Sequence, residues 1–383
     1  MRRRSPPSAA PIDWLLLLVV VAFLLFSVAL VYSAGASIGA EKFGSSHYFL
    51  QQQALRAGLS IGVVMVLAHV DYRFWQRSAE VLVWMGIVLL GLTLLLADPV
   101  KGAARWLQIG PFQFQPSEFV KFALPLALTA RLLEAEPPVS FAHPALRRAL
   151  LWIVLCCGLI AAQPNASTAG LLAAVSFVVL SACGVRRRTL LGCLVLGALL
   201  FTAYVLIAPY RLQRLLDFVR LWQGALPYQV QQSLIAFGHG GLFGVGPGQS
   251  VQREFFLPEA YGDFIFAIIG EEYGLVGTTA TILGFCLLLW RGLRIARRAA
   301  DPFGSVVALS FSTAVALSAL VHMAVAVGLL PVTGIPLPFL SYGGSSIVFT
   351  AAAVGIVLNI GRHSHRAPLV EPTYVPRHSS ETV

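Results

Sequence analysis

The chain has 383 residues, 57% of them hydrophobic and 11% charged, with a formal net charge of +10 and a mean hydropathy of +0.78. A soluble globular domain carries about 25% charged residues and a disordered chain is poor in apolar ones, so both classes are excluded. The apolar runs are continuous, whereas a membrane β-barrel shows short alternating segments.

What remains is an all-α polytopic membrane protein. About 20 apolar residues cross a bilayer. Ten segments read as transmembrane helices: 14–34, 53–70, 79–97, 115–133, 148–162, 168–184, 189–208, 264–290, 304–329 and 343–361. The first follows Arg2, Arg3 and Arg4, as in a signal peptide. It is longer than the usual apolar core of about 7–15 residues, so it reads as a span. The fifth and sixth are separated only by the tight outer turn Gln163-Pro164-Asn165-Ala166-Ser167.

The large outer loop lies between spans seven and eight, at 209–263. Within it Leu212, Leu215, Leu216 and Val219 share one helical face, with Arg211, Arg214, Asp217 and Arg220 on the other. That pattern predicts an interfacial helix over 210–222. The run Gly238 to Gly248 predicts turns.

Of the 27 basic residues, 18 fall on the side of the N-terminus, which predicts both termini in the cytoplasm. The chain then divides into a cytoplasmic segment 1–13, the ten-span domain 14–361 and a disordered cytoplasmic tail 362–383. Basic residues clustered between apolar runs are topology charges, so the net charge does not point to nucleic acid. The five cysteines lie in or beside apolar runs without metal spacing, as small buried hydrophobes do.

Ionisable residues inside spans are costly and are functional candidates. Lys101 and Arg105, beside Trp106, place basic groups in an outer loop, where they can hold an anion or merely be solvated. Glu118 and Lys121 are three apart on one helix face, placed for an ion pair or a ligand. Asp263 stands at the mouth of span eight, as a general base or as a helix N-cap. Glu271 and Glu272 follow about 12 Å deeper, where a buried basic partner is expected. The run from Pro331 to Ser346 holds three prolines and three glycines with Thr333, Ser341, Ser345 and Ser346, and predicts a shaped loop. No nucleotide fingerprint or zinc motif is present. These features leave open a transporter or an enzyme acting on a lipid-linked anion.

Several multi-residue motifs in these segments resemble the SEDS family, which includes FtsW and RodA. They are Gly102-Ala103-Ala104-Arg105-Trp106-Leu107, Gln115-Pro116-Ser117-Glu118 with Lys121, Leu257-Pro258-Glu259-Ala260 with Asp263, and Leu330 to Ser346. The resemblance spans about Asp13 to Gly361 in the family's order. It implies an inverting peptidoglycan glycosyltransferase that polymerises lipid II on the outer face of the cytoplasmic (inner) membrane. It also implies a class B penicillin-binding protein transpeptidase as partner, with divisome or elongasome membrane proteins. The family's key aspartate falls on Asp263, expected to deprotonate the acceptor 4-hydroxyl. Lys101, Arg105 and Lys121 are expected to steady the pyrophosphate. Mg²⁺ or Mn²⁺ is a candidate assistant, without a visible ligand cluster.

The chain departs from the family at Asn165, where the turn usually carries Asp, and at His322, which reads as a packing residue. Gly246 to Gln252 resembles the FtsW branch slightly more than the RodA branch, so septal synthesis is expected over elongation and cell shape. A lipid II flippase and a non-catalytic scaffold are the rival functions.

Overall fold

The computed structural model describes residues 11–97, 105–109, 112–207, 209–221 and 227–363. Lys101, the arginines at 2–4 and nearly all of the expected 362–383 tail lie outside the described residues. The described helices are α1 Trp14–Phe43, α2 Tyr48–Leu67, α3 Tyr72–Leu96, α4 Pro116–Leu132, α5 Pro144–Ala162, α6 Ala166–Ala182, α7 Arg187–Ile207, α8 Pro209–Leu221, α9 Tyr228–Gly240, α10 Ile265–Arg298, α11 Pro302–Ala326 and α12 Ser345–His363. Strands β1 Leu107–Ile109 and β2 Phe112–Phe114 pair antiparallel ahead of α4, with Leu107 opposite Phe114.

Every apolar segment read from the sequence is helical. Seven helices (α1, α3, α5, α7, α10, α11 and α12) are long and apolar enough to cross a membrane. The other three fall short for visible reasons. Helix α2 carries Gln51, Gln52, Gln53 and Arg56, while α4 and α6 have 17 residues each.

Helix ends follow capping chemistry. The Asp13 carboxylate accepts the Leu16 N–H at 3.1 Å, and α1 ends at Gly44 in the left-handed conformation with φ 67°. Prolines open α4, α5 and α11, where the missing N–H has no helical partner in any case. Helix α1 outruns its predicted end because Val31 and Ile38 pack with Phe49 of α2. The helix predicted over 210–222 is α8. Helix α9 was not predicted, because its last residues are the glycine-rich start of the supposed turns. Burial of Val230, Ser233 and Ala236 and a 2.6 Å bond from Ser233 Oγ to the Ala326 carbonyl dock it on the bundle.

Helix α10 packs on α1, α9, α11 and α12, whereas α7 leans on α6 and α8 with none of its residues buried. Residues 264–290 read as one span, yet the helix breaks at Gly274, directly after Glu271-Glu272-Tyr273, with φ 62° and ψ −156°. The loop after α9 takes up the released backbone groups. Val245 N–H donates to the Glu271 carbonyl at 2.9 Å, and Leu275 N–H donates to the Gly241 carbonyl at 2.9 Å. Broken backbone at membrane depth is tolerated where protein satisfies it. A Cβ on Gly274 would lie 2.4 Å from the Gly244 nitrogen, so only glycine fits.

At the end remote from Asp263, Arg291 Nε donates to both Asp13 oxygens at 3.0 and 3.1 Å, tying α10 to α1. Asn359 on α12 accepts the Tyr72 N–H at 3.0 Å and donates to the Ala68 carbonyl at 3.0 Å.

Candidate active site at the mouth of α10

Asp263 is partly exposed and stands one residue before Phe264, the N-cap of α10. Its N–H donates to the Glu259 carbonyl at 3.0 Å, and Glu259 takes a left-handed φ of 55°. Such strain in a non-glycine residue persists only where surrounding structure holds it. The proline-rich loop supplies that hold. Ser341 Oγ donates to the Gly262 carbonyl at 2.8 Å and accepts the Leu337 N–H at 2.8 Å. Tyr342 N–H donates to the Tyr261 carbonyl at 2.9 Å. A methyl on Gly334 would sit 3.9 Å from Asp263 Oδ2, so the carboxylate lies against this loop. The neighbouring Thr333 hydroxyl is buried with no hydrogen-bond partner. Burial, followed by the hydrogen-bonded Glu259 carboxylate, pushes the Tyr261 phenol above its ordinary range and keeps it protonated.

The same loop reaches a second group of charges. Lys121 Nζ lies 2.8 Å from Glu118 Oε2, with the Glu118 side chain 3% exposed. The pair lines a narrow cavity of about 40 Å³ with Ser318 and Pro338. The Arg56 guanidinium sits 4.3 Å over the Tyr342 ring, and its Nη1 is buried without a partner. Arg56 is one of the nine basic residues that the charge count leaves to the outer side and the spans, and is not among the candidates drawn from the sequence. Its position inside the 53–70 apolar run was the signal that could have singled it out.

Ser345 Oγ accepts the Gln115 N–H at 3.0 Å, joining the start of α12 to the start of α4. Ser346, also buried, accepts at its carbonyl from Thr350 Oγ1 at 2.8 Å, within α12. Trp106 packs on the loop: a methyl on Gly344 would be 3.7 Å from its ring. Thus Trp106, Glu118, Lys121, Thr333, Ser341, Ser345 and Ser346 gather at the Asp263 end, the serines chiefly as ties between backbones.

Three expected ligand residues are engaged elsewhere. Arg105 Nε donates to the Gln163 carbonyl at 3.2 Å and its Nη2 to the Pro164 carbonyl, so it ties the hairpin to the α5–α6 turn. Glu271 is fully buried and accepts from Ser250 Oγ and from the N–H groups of Val251 and Gln252, both at 3.2 Å. Glu272 accepts from Ser33 Oγ. The expected Arg or Lys partner is not found among the described residues: Arg253 donates to the shared Ser33 Oγ at 3.2 Å and pairs with Glu254, while His239 Nδ1 lies 3.4 Å from Glu271 Oε1. The two glutamates hold the 245–253 loop against the break in α10.

His322 is a packing residue, buried with Nδ1 2.9 Å from the Ile335 carbonyl. Among the described residues no three His, Cys, Asp or Glu side chains come together as a metal-binding group.

Together these features define a polytopic helical membrane protein with a reachable carboxylate above a buried ion pair. The FtsW/RodA/SpoVE family of cell cycle proteins matches residues 13–366, and the chain belongs to it. It is 38% identical over 371 residues to the probable peptidoglycan glycosyltransferase FtsW of Trichlorobacter lovleyi, covering 96% of this chain and 97% of the relative. It is 38% identical over 355 residues to stage V sporulation protein E of Bacillus subtilis, covering 91% and 97%. Among solved structures, a chain from a peptidoglycan synthase complex that coordinates polymerization and crosslinking matches with TM-score 0.75 at 27% identity, covering 93% of this chain and 99% of that one. The rod shape determining protein RodA of Thermus thermophilus matches with TM-score 0.69 at 26% identity, covering 93% and 98%.

Proposed function

We propose that the chain is a peptidoglycan glycosyltransferase that polymerises lipid II, with Asp263 as general base. The observation that carries this is the difference in exposure among its acids near the site. Glu271, Glu272 and Glu118 are buried, whereas Asp263 is partly exposed at the mouth of α10, against the loop that carries Gly334.

The donor sugar carries its own leaving group, a polyprenyl pyrophosphate. Asp263 accepts the proton of the acceptor 4-hydroxyl as its oxygen bonds to the donor anomeric carbon. The bond from that carbon to the pyrophosphate oxygen breaks with its electron pair, inverting the centre. Lys121 and Arg56 supply positive charge for the departing pyrophosphate. Arg105 acts indirectly, by fixing the hairpin that carries Trp106. No step is routed through a divalent cation.

In this reading all ten apolar segments cross the cytoplasmic membrane, both ends are cytoplasmic, and the Asp263 end faces outward. A class B penicillin-binding protein is the partner that adds crosslinking, in keeping with the synthase complex to which the fold is similar. The septal role is favoured by the FtsW relatives, one of them 38% identical, with stage V sporulation protein E at the same identity.

The test is polymerisation of labelled lipid II by the purified chain in detergent with its transpeptidase partner. Glycan strands are the expected product. A micelle has no second leaflet, so no polymer with lipid II still bound would favour a flippase, and partner activation without polymer a scaffold.

A further inference from the structure

The end of the bundle remote from Asp263 holds a second cavity, of about 470 Å³, between α3, α4 and α5. Arg73, Arg77, Arg131, Glu80, Glu134 and Trp152 line it. Both acids are already engaged: Glu134 lies 2.6 Å from Arg131 Nη1, and Glu80 lies 3.2 Å from Arg148 Nη1. Arg73 faces Asp301 at 3.7 Å. The basic groups therefore exceed the free acids.

Two donors in this lining are unused. Arg131 Nε and the Trp152 indole N–H are buried without an acceptor, and Trp152 is 1% exposed. Buried donors of this kind are rare in proteins and mark a missing acceptor. Arg77 is exposed and makes no ion pair or hydrogen bond among the described residues. A topology charge needs no cavity and no buried donors, so positive-inside bias alone does not explain this arrangement.

What lies beside the cavity indicates the kind of acceptor. From Arg77 the same face of α3 continues through Val81, Trp84, Met85 and Val88, all exposed. A cationic, donor-rich cavity thus adjoins an apolar strip on one helix. That is the shape of an amphiphile with an anionic head, and basic pockets between helices at the cytoplasmic side suit acidic lipids.

We propose that this cavity binds the phosphate headgroup of an anionic phospholipid of the cytoplasmic leaflet, its acyl chains lying along α3. The site is separate from the Asp263 region and does not depend on the glycosyltransferase reading.

Native mass spectrometry of the full chain in detergent, titrated with phosphatidylglycerol, phosphatidylcholine or inorganic phosphate, tests it. Phosphatidylglycerol is expected to be retained in preference to phosphatidylcholine. Arg77→Gln is expected to weaken its retention about tenfold, the loss of one charge-assisted hydrogen bond. Trp152→Phe, which removes the indole donor together with part of the buried ring, is expected to weaken it less. Because Arg77 is exposed, Arg77→Gln should melt like wild type without lipid, which separates binding from folding. Equal retention by wild type and Arg77→Gln, or no preference over phosphatidylcholine, overturns the proposal. Displacement of phosphatidylglycerol by equimolar inorganic phosphate would reassign the cavity to soluble phosphates and overturn the lipid.

Discussion

Asp263 and the pair Glu271–Glu272 lie about two turns apart along one stretch of chain, and their surroundings differ completely. The pair sits where α10 breaks, and a loop folds over it to supply a serine hydroxyl and two backbone N–H groups to Glu271 alone. Asp263 sits where α10 begins, partly exposed, against a loop whose Ser341 hydroxyl and Tyr342 N–H bond the Gly262 and Tyr261 carbonyls just before it. A carboxylate that has received its donors from the protein is a structural acceptor. One that is partly exposed at the mouth of the bundle can be reached by a ligand and take its proton.

That contrast can be broken from either side. The largest effect is expected for Asp263→Asn, which should lower lipid II polymerisation about 10³-fold while leaving the melting temperature unchanged. Lys121→Ala comes next. It leaves Glu118 buried without its counter-charge, which should cost about 3–5 kcal/mol in detergent denaturation. The double replacement Glu118→Gln with Lys121→Met should recover much of that stability without recovering polymer. Glu271→Ala should cost about 3 kcal/mol by stranding the 250–252 donors, with polymerisation falling only with the folded fraction. Arg56→Gln, which removes a partly buried cation over Tyr342, should lower kcat/KM about tenfold with little change in melting.

The helical segments and the convergence of the motif regions were legible in the sequence because long apolar runs and misplaced charges are local signals. Asp263 could be picked out by its place at a span mouth. What was hidden depends on contacts distant in the chain. Nothing near Glu271 announces that Ser250, Val251 and Gln252 fold back onto it. Glu271 and Glu272 mark the place of the break at Gly274 but not the break itself, because the loop that repairs it lies before the helix. Arg105 looked like an anion ligand until the Gln163–Pro164 turn came within its reach. Arg56 was visible as a charge within an apolar run, but its meaning required Tyr342 from the far end of the chain.

The most direct test measures lipid II polymerisation rate and melting temperature side by side for Asp263→Asn and Glu271→Gln. The account predicts a crossover: Asp263→Asn melts like wild type but makes no polymer, whereas Glu271→Gln melts lower yet polymerises in proportion to its folded fraction. Full polymerisation by a well-folded Asp263→Asn, or its abolition in a well-folded Glu271→Gln, would contradict the account and move the catalytic carboxylate into the break of α10.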